Sequence, residues 1–81
     1  MTDERLVIIA IPPLVTLLVA HEKRKGFPLD QREVLAVRDS ATCMRVRESV
    51  AVRMAEERGY SDIALETPWE DWQAIRPSLG L

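Results

Sequence analysis

The sequence has few of the residues on which small proteins rely for covalent or metal-based stabilisation. Its 81 residues include one cysteine, Cys43, one histidine, His21, and no asparagine. A single cysteine excludes a disulfide within the chain, whereas small secreted domains usually carry several. The absence of asparagine excludes an N-glycosylation acceptor. These shortages favour an intracellular, cytoplasmic setting, and we expect neither a metal site nor a cofactor.

An excess of charge of one sign is also lacking. The chain carries 11 basic and 13 acidic residues, interleaved along its length, for a net charge of −2. Nucleic-acid binding usually leaves a basic footprint that neutralises phosphates. We therefore expect no nucleic-acid partner.

No hydrophobic run is long enough to cross a bilayer as a straight helix. The longest apolar stretch, residues 6–20, is interrupted by Pro12 and Pro13, which break or kink a helix. It is also shorter than the roughly 20 residues that a spanning helix needs. Asp3 and Glu4 do not fit the positively charged start of a signal peptide. The stretch is therefore expected to be a core element.

Length and composition predict one folded domain over residues 1–81. Hydrophobic residues make up 47% and charged residues 30% of the chain, which is typical of a globular protein. A domain of this size buries only about 60–65% of its unfolded surface. Such small scaffolds usually need a staple or a partner for stability.

Capping residues delimit the first two of four predicted helices. Pro13 suits the first position of a helix, and Gly26 suits the left-handed cap at its end, which places this helix up to about Lys25. Asp30 and Glu33 have the spacing of a capping box, so the second helix is expected to begin at about residue 31.

The third and fourth helices are predicted over residues 47–58 and 68–76. Gly59 follows the third, and Thr67 precedes the fourth as a capping residue, with Pro68 and Glu70 at the first and third positions. Residues 42–46 are expected to be a connector. Residues 6–11 fit a strand, a helical stretch or a swapped arm equally well. The expected fold is therefore all-α: a small bundle or irregular array of about four short helices with a short extended N-terminal segment as an option.

Motifs that would indicate catalysis are incomplete. A zinc-protease helix needs a second histidine four residues after His21, but that position is Lys25. Cys43 could meet His21 in space, yet nothing indicates an oxyanion hole, and free cysteines are commonly small buried hydrophobes. Whether Cys43 is reactive stays open. We expect no catalytic residues and no enzyme.

Arg45 and Arg47 are the candidates for a small anion site. They flank the start of the third predicted helix, where free N–H groups and the helix dipole favour anions. The sequence has no glycine-rich loop beside them. The usual interpretation of two such arginines is a solvated face, or pairing with nearby carboxylates such as Glu48.

Apolar and aromatic helix faces are the candidates for a binding surface. A helix that is apolar on all sides must be buried on all sides, and three short helices offer little cover. Two aromatic residues three apart share a face, where they either cap the core or anchor a partner. The candidate interaction residues are Leu14, Leu17, Leu18, Trp69, Trp72 and Tyr60.

These surfaces predict a small intracellular protein-interaction module. It would be a homo-oligomer, such as a homodimer, or one subunit of a hetero-complex. One alternative is a domain that binds a small ligand or anion through Arg45, Arg47 and Cys43. Another is a peripheral membrane protein anchored through residues 6–20.

Overall fold

The structure is a computed structural model that describes residues 5–81. Within this range, the chain forms four α-helices and one two-stranded antiparallel sheet, so the fold is mixed α/β. The elements are β1 (Leu6–Ala10), α1 (Leu14–Lys25), α2 (Gln31–Ser40), β2 (Cys43–Arg47), α3 (Glu48–Arg58), α4 (Pro68–Ile75) and a short 3-10 helix (Arg76–Leu79).

The sheet corrects the expectation of an all-α fold. Residues 42–46, expected to be a connector, lie mostly within β2, which pairs with β1 from Leu6 opposite Arg47 to Ala10 opposite Cys43. The pairing joins two segments separated by α1 and α2. Isolated five-residue strands have no stability of their own, so each becomes a strand only when it meets the other. The open question over residues 6–11 is thereby answered for this chain: Leu6–Ala10 is a strand.

The hydrophobic core lies where α1, α2 and α4 pack together. Its four fully buried large side chains come from all three helices: Leu14, Leu18, Val34 and Trp72. Burying one such aliphatic side chain contributes about 1.5–3 kcal/mol. Ala10 and Ile63 extend the core towards the sheet.

The predicted C-terminus of α1 and the predicted N-terminus of α2 are confirmed. Gly26 ends α1 in the left-handed conformation, with φ of 82°, which glycine adopts without steric cost. At the start of α2, the Asp30 carboxylate accepts from the Glu33 backbone N–H at 2.8 Å. The Glu33 carboxylate in turn accepts from the Asp30 N–H at 3.0 Å. This reciprocal pair is the expected capping box.

The start of α4 differs in detail from the prediction. The helix does begin at Pro68, but Thr67 makes no side-chain capping bond to it. Instead, the Thr67 hydroxyl donates to Asp71 at 3.2 Å, and Asp71 also accepts from the backbone N–H of Ala64 at 2.9 Å. Asp71 therefore links the preceding turn to the helix. The Thr67 hydroxyl bonds to this carboxylate instead of accepting from a helix N–H.

The molecule is elongated, with principal extents of 49 × 23 × 19 Å. The core occupies one part of this length, and the sheet with α3 occupies another. α3 has no buried residue and makes its main contacts with β1 and β2. We refer to β1, β2 and α3 together as the sheet–helix unit. Across residues 5–81, no helix is both long and apolar enough to span a membrane.

Candidate interaction surface

The candidate interaction residues from the helices lie largely inside the chain. Leu14, Leu18 and Trp72 have no exposed surface. Leu17 and Trp69 are half buried against the same core. A partner cannot reach the first three in the folded chain, because α1, α2 and α4 bury them among one another. Tyr60 is the exception: it remains 44% exposed, and the Arg58 guanidinium lies 4.9 Å from the centre of its ring.

The candidate anion residues lie on β2 and not on a helix. Arg45 and Arg47 are exposed and follow one another on the same side of the strand. Arg47 immediately precedes α3 but makes no side-chain capping bond to it. Cys43 is a free, exposed cysteine whose Sγ lies 3.6 Å from the Ala41 carbonyl oxygen. His21 is exposed near the far end of α1, on a different element from Cys43.

One face of the sheet is open to solvent except at Ala10, which is 5% exposed and belongs to the core. Residues paired across an antiparallel sheet project on the same side, and the register places Leu6 beside Arg47 and Ile8 beside Arg45. Leu6 is 55% and Ile8 57% exposed, and both arginines are exposed as well. This open face therefore combines an apolar row from β1 with a basic row from β2.

The opposite face carries α3. The sheet residues that are half buried alternate with the exposed ones and belong to this second face: Val7, Ile9 and Val46. The half-buried residues of α3 recur at the spacing of one helical stripe: Ala51, Met54, Ala55 and Arg58. Because α3 contacts both strands, these two sets match a helix lying across one sheet face. The rest of α3 faces outward, with Val50 42% and Val52 52% exposed.

Both edges of the sheet have unpaired backbone groups. The Ile11 N–H donates to the Thr42 carbonyl at 2.8 Å, and the Glu48 N–H donates to the Arg5 carbonyl at 2.9 Å. These bonds fix the alternation, so the backbone groups of Val7 and Ile9 also point towards β2. The groups that point outward belong to Leu6, Ile8 and Ala10 on β1 and to Cys43, Arg45 and Arg47 on β2. In the described part of the chain, no hydrogen bond closes either edge with a further strand.

Two grooves border these surfaces. A groove of about 200 Å³ runs beside the second half of β1, between α3 and residues 62–66. A wider groove of about 470 Å³ is almost entirely apolar, and its lining includes Val15, Tyr60 and Ile75. The first continues the edge of β1, and the second lies over the core helices.

A buried ion pair lies outside the sheet–helix unit, beside the core. The Arg76 guanidinium donates to both oxygens of the buried Glu22 carboxylate, at 3.0 Å each. Burial raises the pKa of Glu22. The Arg76 hydrogen bond, the Leu29 N–H and the charges of Arg76 and Lys25 lower it, and the net pKa lies below the ordinary value. This pair joins α1 to the end of α4 and is structural in character.

Among residues 5–81, no group of three or more histidine, cysteine, aspartate or glutamate side chains is placed to hold a metal ion. The open face itself offers backbone pairing, apolar contact with Leu6 and Ile8, and attraction of negative charge by Arg45 and Arg47.

Sequence reasoning missed the open sheet, although the sequence carried a signal for it. In Cys43–Arg47, charged Arg45 and Arg47 alternate with apolar Met44 and Val46. Such alternation with period two is typical of a strand with one face exposed. The five-residue length made the signal weak.

No protein-family model matches the sequence, and neither the curated proteins nor the solved structures contain a match.

Proposed function

We propose that this chain is a protein-interaction module that docks through its sheet–helix unit. The observation that carries the proposal is the distribution of exposed apolar side chains. Of the nine large exposed ones in the described residues, five lie in the unit: Leu6, Ile8, Met44, Val50 and Val52. Leu6 and Ile8 are neighbours on the open face, and contiguous exposed apolar surface of this kind is a common sign of a protein–protein contact.

The energetics of small sheets support the same proposal. A two-stranded sheet is marginally stable in water, and further strands or packing are needed for independent stability. Here α3 covers one face, while Leu6 and Ile8 stay exposed on the other, and neither edge pairs with a further strand among the described residues. Contact with a partner would remove Leu6 and Ile8 from water and add backbone hydrogen bonds at an edge. The proposed activity is therefore binding and not catalysis.

The setting proposed for this activity is intracellular. Cys43 is free and exposed, and exposed thiols persist most readily in reducing compartments. The partner is a protein, either a second copy of the chain or another protein.

Site-specific photo-crosslinking in the native cells tests the proposal. A photoreactive phenylalanine derivative replaces Leu6, 55% exposed on the open face, or Phe27, 69% exposed in the turn after α1. We expect a discrete protein adduct from position 6 and none from position 27. Phe27 is a stringent control because it is more exposed than Leu6. Equal adducts from both positions, or none from position 6, would contradict the proposal.

A further inference from the structure

The β1 edge and the β2 edge differ in charge. β1 reads Leu-Val-Ile-Ile-Ala and has no charged side chain, whereas β2 carries Arg45 and Arg47. Charged side chains on an edge strand discourage pairing with another copy, and an uncharged apolar edge permits it. β1 is therefore the unprotected edge of this sheet.

Alternation along β1 allows it to pair with itself. The outward-pointing backbone groups belong to residues of even number, Leu6, Ile8 and Ala10. In an antiparallel pair centred on Val7, Leu6 of one copy lies opposite Ile8 of the other, and both residues present outward groups. Each such pair exchanges two hydrogen bonds, and the two-fold axis generates the pair twice. Ala10 is only 5% exposed, so this register stops short of it.

The side chains also match in this register. On the open face, exposed Leu6 meets exposed Ile8 of the second copy, and on the α3 face Val7 meets Val7. Apolar and β-branched cross-strand pairs of this kind stabilise antiparallel sheets. The paired residues 6–8 themselves carry no charged side chain.

Pairing of β2 with a second copy of β2 would be destabilised by like charges. The register that pairs all five residues of β2 is centred on Arg45, so it places Arg45 directly opposite Arg45 of the other copy. In the β1 arrangement, the two β2 strands lie at the outer edges of a four-stranded sheet. Strand spacing of about 4.8 Å then separates them by about 14 Å, which exceeds the Debye length of about 8 Å at physiological salt.

From these observations we infer that the partner is a second copy of this chain, joined by antiparallel β1–β1 pairing about Val7. The order across the sheet is β2–β1–β1–β2, and the two-fold axis closes the assembly at a dimer. The inference rests on the proposed function, because it names the partner of the sheet–helix unit.

Backbone N-methylation in the synthetic full-length chain tests the pairing without changing a side chain. N-methyl-Ile8 removes an outward N–H that β1–β1 pairing needs, whereas N-methyl-Arg45 removes the equivalent outward N–H from β2. Neither group bonds within the sheet, so each variant is a matched control for the other. Circular dichroism and thermal unfolding verify that both variants keep the fold.

Sedimentation equilibrium then gives the mass of each chain over a wide concentration range. We expect the unmodified chain and N-methyl-Arg45 to reach twice the chain mass of 9.2 kDa. N-methyl-Ile8 is expected to dimerise at least about tenfold more weakly, a change of about 1.4 kcal/mol. A dimer unaffected at Ile8 would overturn the inference. The inference would also be overturned if the mass of the unmodified chain kept rising with concentration and N-methyl-Arg45 prevented that growth. Such a result would indicate β1–β2 pairing between copies, which builds filaments.

The outcome separates this inference from the proposed function. An unmodified chain that stays monomeric, yet crosslinks from position 6 to a different protein, overturns self-pairing and leaves the interaction function in place. A monomer without any crosslink from position 6 overturns both.

Discussion

Glu22 and Arg76 form a two-pronged ion pair that joins α1 to the end of α4. Both hydrogen bonds measure 3.0 Å, and the Glu22 side chain is 6% exposed against 20% for Arg76. The Arg76 guanidinium also lies 5.9 Å from the centre of the Trp72 ring. Removing one member of such a pair leaves the other charge buried without compensation, which costs more than the pair itself contributes.

Arg76→Met is therefore expected to destabilise the fold by about 3 kcal/mol. Urea unfolding measures the loss, and Asp39→Asn is the control. That change breaks the exposed Arg38–Asp39 pair, so it should cost less than about 1 kcal/mol. The double variant Glu22→Leu/Arg76→Met should recover much of the loss because no buried charge is left unpaired. Equal stability of Arg76→Met and the wild-type chain would show that the pair has no structural role.

Acid should destabilise the protein through the same pair. The folded-state pKa of Glu22 lies below the ordinary value of 4.5, so the unfolded chain binds more protons in this range. The contribution of Glu22 is complete above about pH 4.5 and is lost as the pH falls through the lower folded-state pKa. The free energy of unfolding, measured against pH, should therefore decline below that value.

Glu22→Gln is the variant that isolates this effect. It should flatten the acid limb of the stability profile, because the substituted side chain does not titrate. The hydrogen bond from the Asp30 N–H and the Lys25 side chain also lower the pKa of Glu33. A Glu33→Gln chain therefore serves as a comparison, with a smaller change expected at this exposed site. An acid limb identical in Glu22→Gln and the wild type would contradict the assignment.

Asp62 caps α1 from a distant part of the chain. Its two carboxylate oxygens accept from the backbone N–H groups of Leu14, at 2.6 Å, and Val15, at 2.8 Å. Asp62→Ala leaves two helix N–H groups without this acceptor and should cost about 1–2 kcal/mol in urea unfolding. Asp62→Asn keeps one acceptor and should cost less. Ser61→Ala, at the exposed neighbouring position, should change stability by no more than about 0.5 kcal/mol.

Leucine truncation distinguishes core residues from surface residues within the N-terminal apolar stretch. Leu18 has no exposed surface, whereas Leu6 is 55% exposed. Leu18→Ala should cost about 3 kcal/mol, since it removes buried methyl groups and opens a cavity. Leu6→Ala, measured in the same urea titration under dilute conditions, should cost less than about 1 kcal/mol. Comparable losses at both positions would contradict the separation of residues 6–20 into core helix and open strand.

Local signals in the sequence were sufficient to place the helices. The Asp30–Glu33 capping box and Gly26 lie within one or two turns of the ends that they define, so they can be recognised without knowledge of the fold. The end of α3 at Gly59 and the start of α4 at Pro68 follow the same kind of signal. At α4 the predicted cap failed because another local acceptor competed: the Thr67 hydroxyl bonds to Asp71, four residues on, and not to the helix N-terminus.

These local signals could not predict contacts between segments that are far apart in the sequence. The Leu6–Ala10 and Cys43–Arg47 strands form only together, and Asp62 reaches α1 from nearly fifty residues away in the chain. Burial was equally non-local: the same apolar character in Leu6 and Leu18 leads to an exposed strand in one case and to the core in the other. Only the packing of α1, α2 and α4 decides which of them is covered.

Residue-resolved amide exchange in β1 is the most direct measurement of an open, self-pairing edge. The Val7 and Ile9 N–H groups point towards β2, so they should exchange slowly at every protein concentration. The Leu6 and Ile8 N–H groups should exchange rapidly in dilute solution and become protected as the concentration rises. Rapid exchange at Leu6 and Ile8 throughout the concentration range, or protection that does not depend on concentration, would contradict pairing of β1 with a second copy.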